Sequence, residues 1–315
     1  MAERRNTVIE VTELKPTASI QKICHYADFS RTQFYYNFKQ CKVKSPGRPC
    51  PGFTVNRDGK ILSDEMIIQH LKSYRADIHF MNTCGAKMLS HYLASEHSMY
   101  VNHKKVYRLC KENNLLLFTS NQVRAKIKKT RCEYRNVTAP NQLWQFDLKH
   151  IYIHGENTWC YLLTFIDVYS KKAVAYSLGK SIKAGQLILT LNSALVAENI
   201  SHKHPLQIRS DNGPQMSSNR FHFYLKKLER KLTHEFIPPR TPNRNAYIES
   251  FFSIFEKTVI EIRYFNNYHD VYESVVNFVE FYNNRRLHGS IGKLTPINFI
   301  KKFQAGEIKN YVVSA

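Results

Sequence analysis

The strongest constraint on how this chain folds is a change of hydrophobic rhythm after residue 140. Residues 143–153 and 158–168 are strand-like apolar runs, separated by His154-Gly155-Glu156-Asn157, which has the composition of a hairpin turn. A third strand is expected over 172–178. From there the pattern alternates. Leu187, Leu191, Ala194 and Leu195 share one face of a helix over 183–198. A strand over 206–210, a helix over 217–231 and a strand over 233–237 follow. After the Pro-rich stretch 238–242 comes a helix from about Ala246 to Glu261. Strands in series can pair through hairpins, whereas strands separated by helices must cross over and run parallel. The expected fold class is α/β, a mixed five-stranded sheet flanked by helices.

The first 140 residues follow another rule. Ile20, Ile23 and Cys24, then Phe34, Tyr35 and Phe38, recur at helical spacing around a break at Asp28-Phe29-Ser30. Two short helices about a tight turn fit a helix-turn-helix, with Arg31, Thr32, Gln33 and Tyr36 as its exposed readers. Residues 45–60 hold Pro and Gly at linker density. Helical spacing resumes over 63–116, with Ser63 and Asn102 placed as N-caps. On the last of these helices Lys104, Lys105, Arg108 and Lys111 are expected outward, as a DNA-facing surface. Residues 124–135 carry six basic residues and one acid, among them Lys126, Lys128, Lys129 and Arg131, and read as a basic tether. The expected organisation is a helix-turn-helix module over 1–44, a linker over 45–62, a second helical DNA-binding module over 63–120 and a basic linker over 121–140. A catalytic core over 141–265 and its C-terminal helical extension over 266–315 complete it.

Charge narrows the function. The chain has 46 Lys and Arg against 25 Asp and Glu, a net +21, and residues 1–140 carry +13 of it. Such a surface attracts polyanions, and the front half suits a phosphate backbone best. No apolar run approaches the ~18 residues of a membrane span. The seven cysteines (24, 41, 50, 84, 110, 132 and 160) form no C-x-x-C pair, which argues against zinc and against a disulfide scaffold. A reduced, cytoplasmic protein is expected.

Three acids sit where bare carboxylates are costly. Asp147 interrupts the apolar run Trp144-Gln145-Phe146-Asp147-Leu148, Asp211 ends the strand over 206–210, and Glu249 lies in Tyr247-Ile248-Glu249-Ser250-Phe251-Phe252. A central strand, a neighbouring strand end and a helix can converge on a pair of divalent ions, which take oxygen ligands and suit phosphoryl transfer. Asp167, before Tyr169-Ser170, reads as a turn-capping carboxylate instead.

These motifs carry a resemblance. Trp144-Gln145-Phe146-Asp147, Phe165-Ile166-Asp167-Val168-Tyr169-Ser170, Ser210-Asp211-Asn212-Gly213-Pro214-Gln215, the stretch Pro242 to Phe252, and Phe281-Tyr282-Asn283-Asn284-Arg285-Arg286-Leu287-His288-Gly289-Ser290 stand in the order of the catalytic core of DDE transposases and retroviral integrases. The chain resembles most the second-frame (OrfB-type) transposase of the third insertion-sequence family. The front half is similar to that family's helical modules. The resemblance implies an RNase H-like core and a catalytic, metal-binding trio of Asp147, Asp211 and Glu249. Two Mg2+ ions, replaceable by Mn2+, would serve it. It implies strand cleavage and strand transfer at insertion-sequence ends, with double-stranded DNA (terminal inverted repeats and target) as partner, and a homo-oligomer on DNA. An upstream-frame protein or a frameshift fusion is a further implied partner. Asn212, Lys257, Arg285, Arg286 and His288 are expected to grip DNA near the site. Two departures stand out: 37 residues (212–248) separate the last two acids where the family has about thirty-five, and the family's basic residue seven after the glutamate is Glu256 here, with lysine at 257. An RNase H-like nuclease, a phage-type integrase and a domesticated DNA-binding protein with an inactive core are the alternatives.

Overall fold

Trp144 and Phe146 point to one side of the strand that carries them, Gln145 and Asp147 to the other, and the layers of the core follow from that alternation. The computed structural model describes residues 2–31, 34, 51–117, 135–228, 230–237, 242–309 and 311–315. Residues 1–52 and 53–315 form two compact units.

In the first unit, α1 (Ala2–Leu14) and α2 (Ile20–Tyr26) bury Val8, Ile23, Cys24, Phe29 and Phe34. The N-terminal helix was not expected, because its sequence alternates polar and apolar residues without a clear face. Arg31 is helical and exposed. Thr32, Gln33 and Tyr36, the other expected readers, lie outside the described residues, as do Lys126, Lys128, Lys129 and Arg131 of the basic tether.

The second unit opens with a hairpin where a linker was expected. β1 (Phe53–Val55) pairs antiparallel with β2 (Ile61–Ser63). Asn56-Arg57-Asp58-Gly59 makes the turn, with Gly59 at φ +78, a conformation glycine adopts without steric cost. The helices α3 (Asp64–Ala76), α4 (Ile78–Met81), α5 (Ala86–His97) and α6 (His103–Glu112) follow. The Ser63 and Asn102 side chains accept N–H groups of the first turns of α3 and α6, as the sequence predicts.

The main sheet consists of β4 (Leu143–Ile153), β5 (Thr158–Asp167), β6 (Ala173–Gly179), β7 (Leu206–Ser210) and β8 (Leu232–Phe236), in the order β6-β5-β4-β7-β8. β4, β5 and β6 run antiparallel, while β7 and β8 join in parallel. This is the mixed five-stranded RNase H-like sheet read from the sequence. α7 (Ala184–Ala197) and α8 (Asn219–Lys227) cover one face, against Trp144, Phe146, Leu163 and Phe165. α9 (Ala246–Phe255) and α10 (Tyr268–Asn284) cover the other, where Phe251, Phe255 and Phe278 are wholly buried. Each such side chain contributes roughly 1.5–3 kcal/mol by leaving water. α11 (Pro296–Gln304) closes a third cluster with Tyr169. The short β3 (Asn136–Val137) pairs with β9 (Val313–Ser314). The helices α3 to α6 share their core with Phe281 and Leu287 of the C-terminal segment, so they pack as one body with the helices that back the sheet.

Candidate active site

The site begins with strand register. β4 and β7 pair only at Leu143↔Gln207, Trp144↔Ile208 and Gln145↔Arg209. Two residues further on, Asp147 and Asp211 lie at corresponding positions where the ladder has ended, and a cleft opens between the diverging strands. Asp147, Asp211, Gly213, Met216 and Lys180 line a cleft of ≈ 480 Å³. Asp147 also borders a second cleft of ≈ 380 Å³, with Glu249, Glu256 and Lys257. Asp147 and its neighbour Leu148 therefore belong to the walls of both, and Asp147 is the one titratable side chain they share.

Backbone N–H groups orient two of the acids. Leu148 donates to Asp147 Oδ1 at 2.7 Å, and Gly213 donates to Asp211 Oδ1 at 3.0 Å. Burial pushes the Asp147 carboxyl up to about 6. The Leu148 hydrogen bond opposes the shift, and the nearby Asp211 and Glu249 carboxylates add to it. Glu249 is also raised, by burial. Neither Asp211 nor Glu249 forms an ion pair among the described residues. Three oxygen-bearing groups that repel one another, with no internal cation to neutralise Asp211 or Glu249, match the donor set of a hard divalent metal. The trio is open: among the described residues no three His, Cys, Asp or Glu side chains close on one point.

A polar latch that sequence reasoning missed holds the third acid's helix. Gln145 is wholly buried, and its Oε1 accepts the Tyr247 and Ile248 N–H groups, both at 3.1 Å. Its Nε2 donates to the Arg244 carbonyl at 2.7 Å. Arg209, paired with Gln145 across the ladder, donates to the same carbonyl at 3.1 Å. Glu235 on β8 then accepts from both Arg209 and Arg244. One row across three strands thus fixes the first turn of the helix carrying Glu249, and it satisfies N–H groups that a helix start leaves bare. The signal was present: a polar side chain between Trp144 and Phe146 in a buried strand needs a partner.

The helix does not end regularly. Glu256–Ile260 forms a π-turn, the kind of insertion found often at functional sites. Lys257 is exposed and lines the cleft beside Glu249 and Asp147 despite its one-residue offset. Glu256, at the position where the family has a base, is ion-paired to Lys149.

Other expected positions are occupied differently. Asp167 is buried and accepts from Ser170 N, Ser170 Oγ and Asn141 N, a structural cap. Lys105 and Arg108 do not face outward: both are tied to the buried Asp64, at 2.5 and 3.1 Å, while Lys104 stays exposed. Arg285 is held by Asp77 and Glu96, at 2.9 and 2.8 Å. Arg286 is half-buried near the Cys84 thiol, and His288 is buried against the Tyr282 ring. The two arginines knit the C-terminal segment to the region of helices α3 to α5, and His288 packs within the C-terminal segment itself, bridged to Leu294. Asn212 is exposed beside Asp211, with Nδ2 donating to the Ile237 carbonyl at 3.2 Å.

Comparison with known proteins agrees with this geometry. Two models described as integrase core domain match residues 137–242 and 230–296, and one described as HTH-like domain matches residues 59–122. An insertion element IS476 protein of Xanthomonas euvesicatoria is 27% identical over 67% of this chain, and the match spans 59% of its own length. The putative transposase InsK of insertion sequence IS150 from Escherichia coli is 26% identical over 63% of this chain and 71% of its own. An insertion element IS600 protein of Shigella sonnei is 26% identical over 81% and 98%. Among solved structures, a simian T-cell lymphotropic virus intasome aligns over 73% of this chain and 74% of its own, at 16% identity and a TM-score of 0.45.

Proposed function

This chain belongs to the integrase core family and carries an HTH-like domain, and from that together with its acidic cleft we propose that it is a DNA transposase that cuts insertion-sequence ends and transfers the freed strands. The carrying observation is the placement of Asp147 in the wall of both clefts, with Asp211 in one and Glu249 in the other. Asp147, Asp211 and Glu249 are the catalytic residues in this reading. They would hold Mg2+, as two ions that Mn2+ could replace, and magnesium is named with the integrase core of HTLV-2. A bound divalent ion supplies charge relief at the phosphorus and a more acidic attacking water or hydroxyl.

The chain's own groups do the positioning. Asp147 contributes to both clefts, and the latch through Gln145 keeps Glu249 in register with it. Lys257 lines the cleft of Glu249 and would bind a phosphate flanking the scissile bond, whereas Lys149 and Lys180, in the same clefts, are paired with Glu256 and Glu156. The element end would first be hydrolysed to a 3′ hydroxyl, which then attacks a second phosphodiester. Both steps need the same acids. Terminal inverted repeats and target DNA would be the partners, with paired ends held by a homo-oligomer, and an upstream-frame protein or a frameshift fusion would complete the assembly. No helix among the described residues is long and apolar enough to cross a membrane, and a cytoplasmic site of action fits a DNA substrate.

The test is strand transfer on an end-sequence duplex with Mg2+. Asp147→Asn should abolish joined products and leave duplex binding intact. A variant that still joins strands would remove Asp147 from the site. A wild-type protein that gives only cleaved products would make this an RNase H-like nuclease.

A further inference from the structure

β4 pairs with β7 only as far as Gln145, and the β4–β5 hairpin runs on beyond the acids with a series of rings on one face. His150 stands opposite Tyr161, and Tyr152 opposite Trp159, so side chains two apart on each strand share that face. Ring centres lie 4.9 Å apart for His150 and Tyr161, 5.0 Å for Tyr152 and Trp159, and 5.2 Å for Tyr152 and His154. Tyr264, from the segment after the π-turn, stacks on His154 at 4.4 Å. Trp159 and Tyr264 are 51% and 65% exposed, a large aromatic surface left in water. The two segments are held together closely. Gly155 N–H donates to the Phe265 carbonyl at 3.1 Å, and a Cβ at Gly155 would come within 2.2 Å of the Asn266 carbonyl oxygen. Only glycine permits that approach.

These rings line a cleft of ≈ 510 Å³ that adjoins both halves of the acidic site. His150 is shared with the cleft of Asp211, and Glu256 and Glu261 with the cleft of Glu249. Its charged side chains are Glu256, Glu261 and Arg263, a set that suits a phosphate badly. Arg263 already donates to Ser274 Oγ at 2.6 Å. What the cleft offers is π surface. In a duplex the base faces are covered by their neighbours, whereas unpaired bases present them, and stacking on a ring accepts any base. Ring positions two apart on a strand are roughly 7 Å apart, twice the ~3.4 Å step of a stacked duplex, which fits splayed bases.

We propose that this aromatic cleft takes the unpaired nucleotides of a parted DNA strand end, stacked base on ring beside the acids. The proposal rests on the transposase reading for its choice of ligand. The probe is single-stranded oligothymidylate, bound to the full chain. Of the two tryptophans Trp144 is wholly buried, so quenching of tryptophan fluorescence reports on Trp159. Oligothymidylate should quench the wild type. Affinity should fall roughly 5- to 150-fold in Trp159→Ala and again in Tyr264→Ala, the worth of one stacked base each. Trp159→Phe and Tyr264→Phe should recover most of it. Both side chains are more than half exposed, so all four variants should keep the wild-type melting curve. Affinity for a blunt, fully paired duplex should not change. Absence of quenching overturns the proposal, and so does an equal loss on the blunt duplex. Alanine variants that bind oligothymidylate like the wild type but lose self-association in sedimentation would make the rings a contact between copies instead. Strand transfer without quenching sinks the cleft alone. Quenching by a wild type that joins no strands removes the transposase reading and leaves the cleft standing.

Discussion

Gln145 and Arg209 face each other on parallel strands and donate to one carbonyl oxygen, that of Arg244. The cost of removing Gln145 is therefore specific. Gln145→Ala strips the Tyr247 and Ile248 N–H groups of their acceptor inside the core, an effect of about 1–3 kcal/mol. It also frees the helix that carries Glu249, while Gln145 itself lies two residues from Asp147 on β4. Denaturant midpoint and turnover should fall together, with little change in duplex affinity. A variant that lost stability but kept wild-type turnover would reduce the latch to packing. The three acids stand out in the sequence because each interrupts or ends a local apolar run. Gln145 was passed over because its partners lie about a hundred residues away.

At the scale of elements, the C-terminal segment Arg285-Arg286-Leu287-His288 shows how composition can mislead. Two arginines and a histidine after a helix suggest a DNA grip, yet Arg285 bonds Asp77 and Glu96, and Leu287 N–H donates to the Tyr92 hydroxyl at 2.8 Å. Acceptors from the cap of α4 and from α5, far earlier in the chain, set the role of Arg285 and Leu287. Arg285→Ala should lower the melting temperature by an amount worth about 1 kcal/mol, since the pair is half exposed and screened. The salt slope of duplex binding should not move. A lower slope with unchanged stability would return Arg285 to the DNA surface. The π-turn after α9 is the opposite case. Counting residues along a regular helix rotates Lys257 away from Glu249, and only the irregular turn shows that both border one cleft.

For the whole molecule, two buried imidazoles govern the response to acid. Burial lowers His288 to about 3 and His234 to about 4, with Arg286 and His222 respectively adding to the effect. Between pH 6.5 and about 4 the unfolded chain binds both protons and the folded chain neither. Stability must therefore fall as pH drops through that window. Asp147 acts the other way, because its raised pKa lets the folded state take a proton below about pH 6. Glu249 and Asp167, raised by burial, act as Asp147 does, and His70, His79 and His91 are lowered like the other two imidazoles, so five groups against three leave the net sign with the histidines. Melting temperature should fall steadily from pH 6.5 towards 4, and His288→Asn should flatten the curve. A flat wild-type profile would show that neither imidazole is held neutral.

The sequence by itself determined the sheet and its mixed direction. Hydrophobic period and turn chemistry are local, and they decide which way side chains face before any tertiary contact forms. It also determined the caps of α3 and α6, since a side chain and the N–H groups it serves lie within one turn. Tertiary structure alone decided which charges remain free. Lys105, Arg108 and Arg285 are spent on acids distant in sequence, whereas Lys87, His91, His103 and Lys293 gather into one basic cleft. Coulombic pairing depends on separation in space, and the chain's order does not fix that separation.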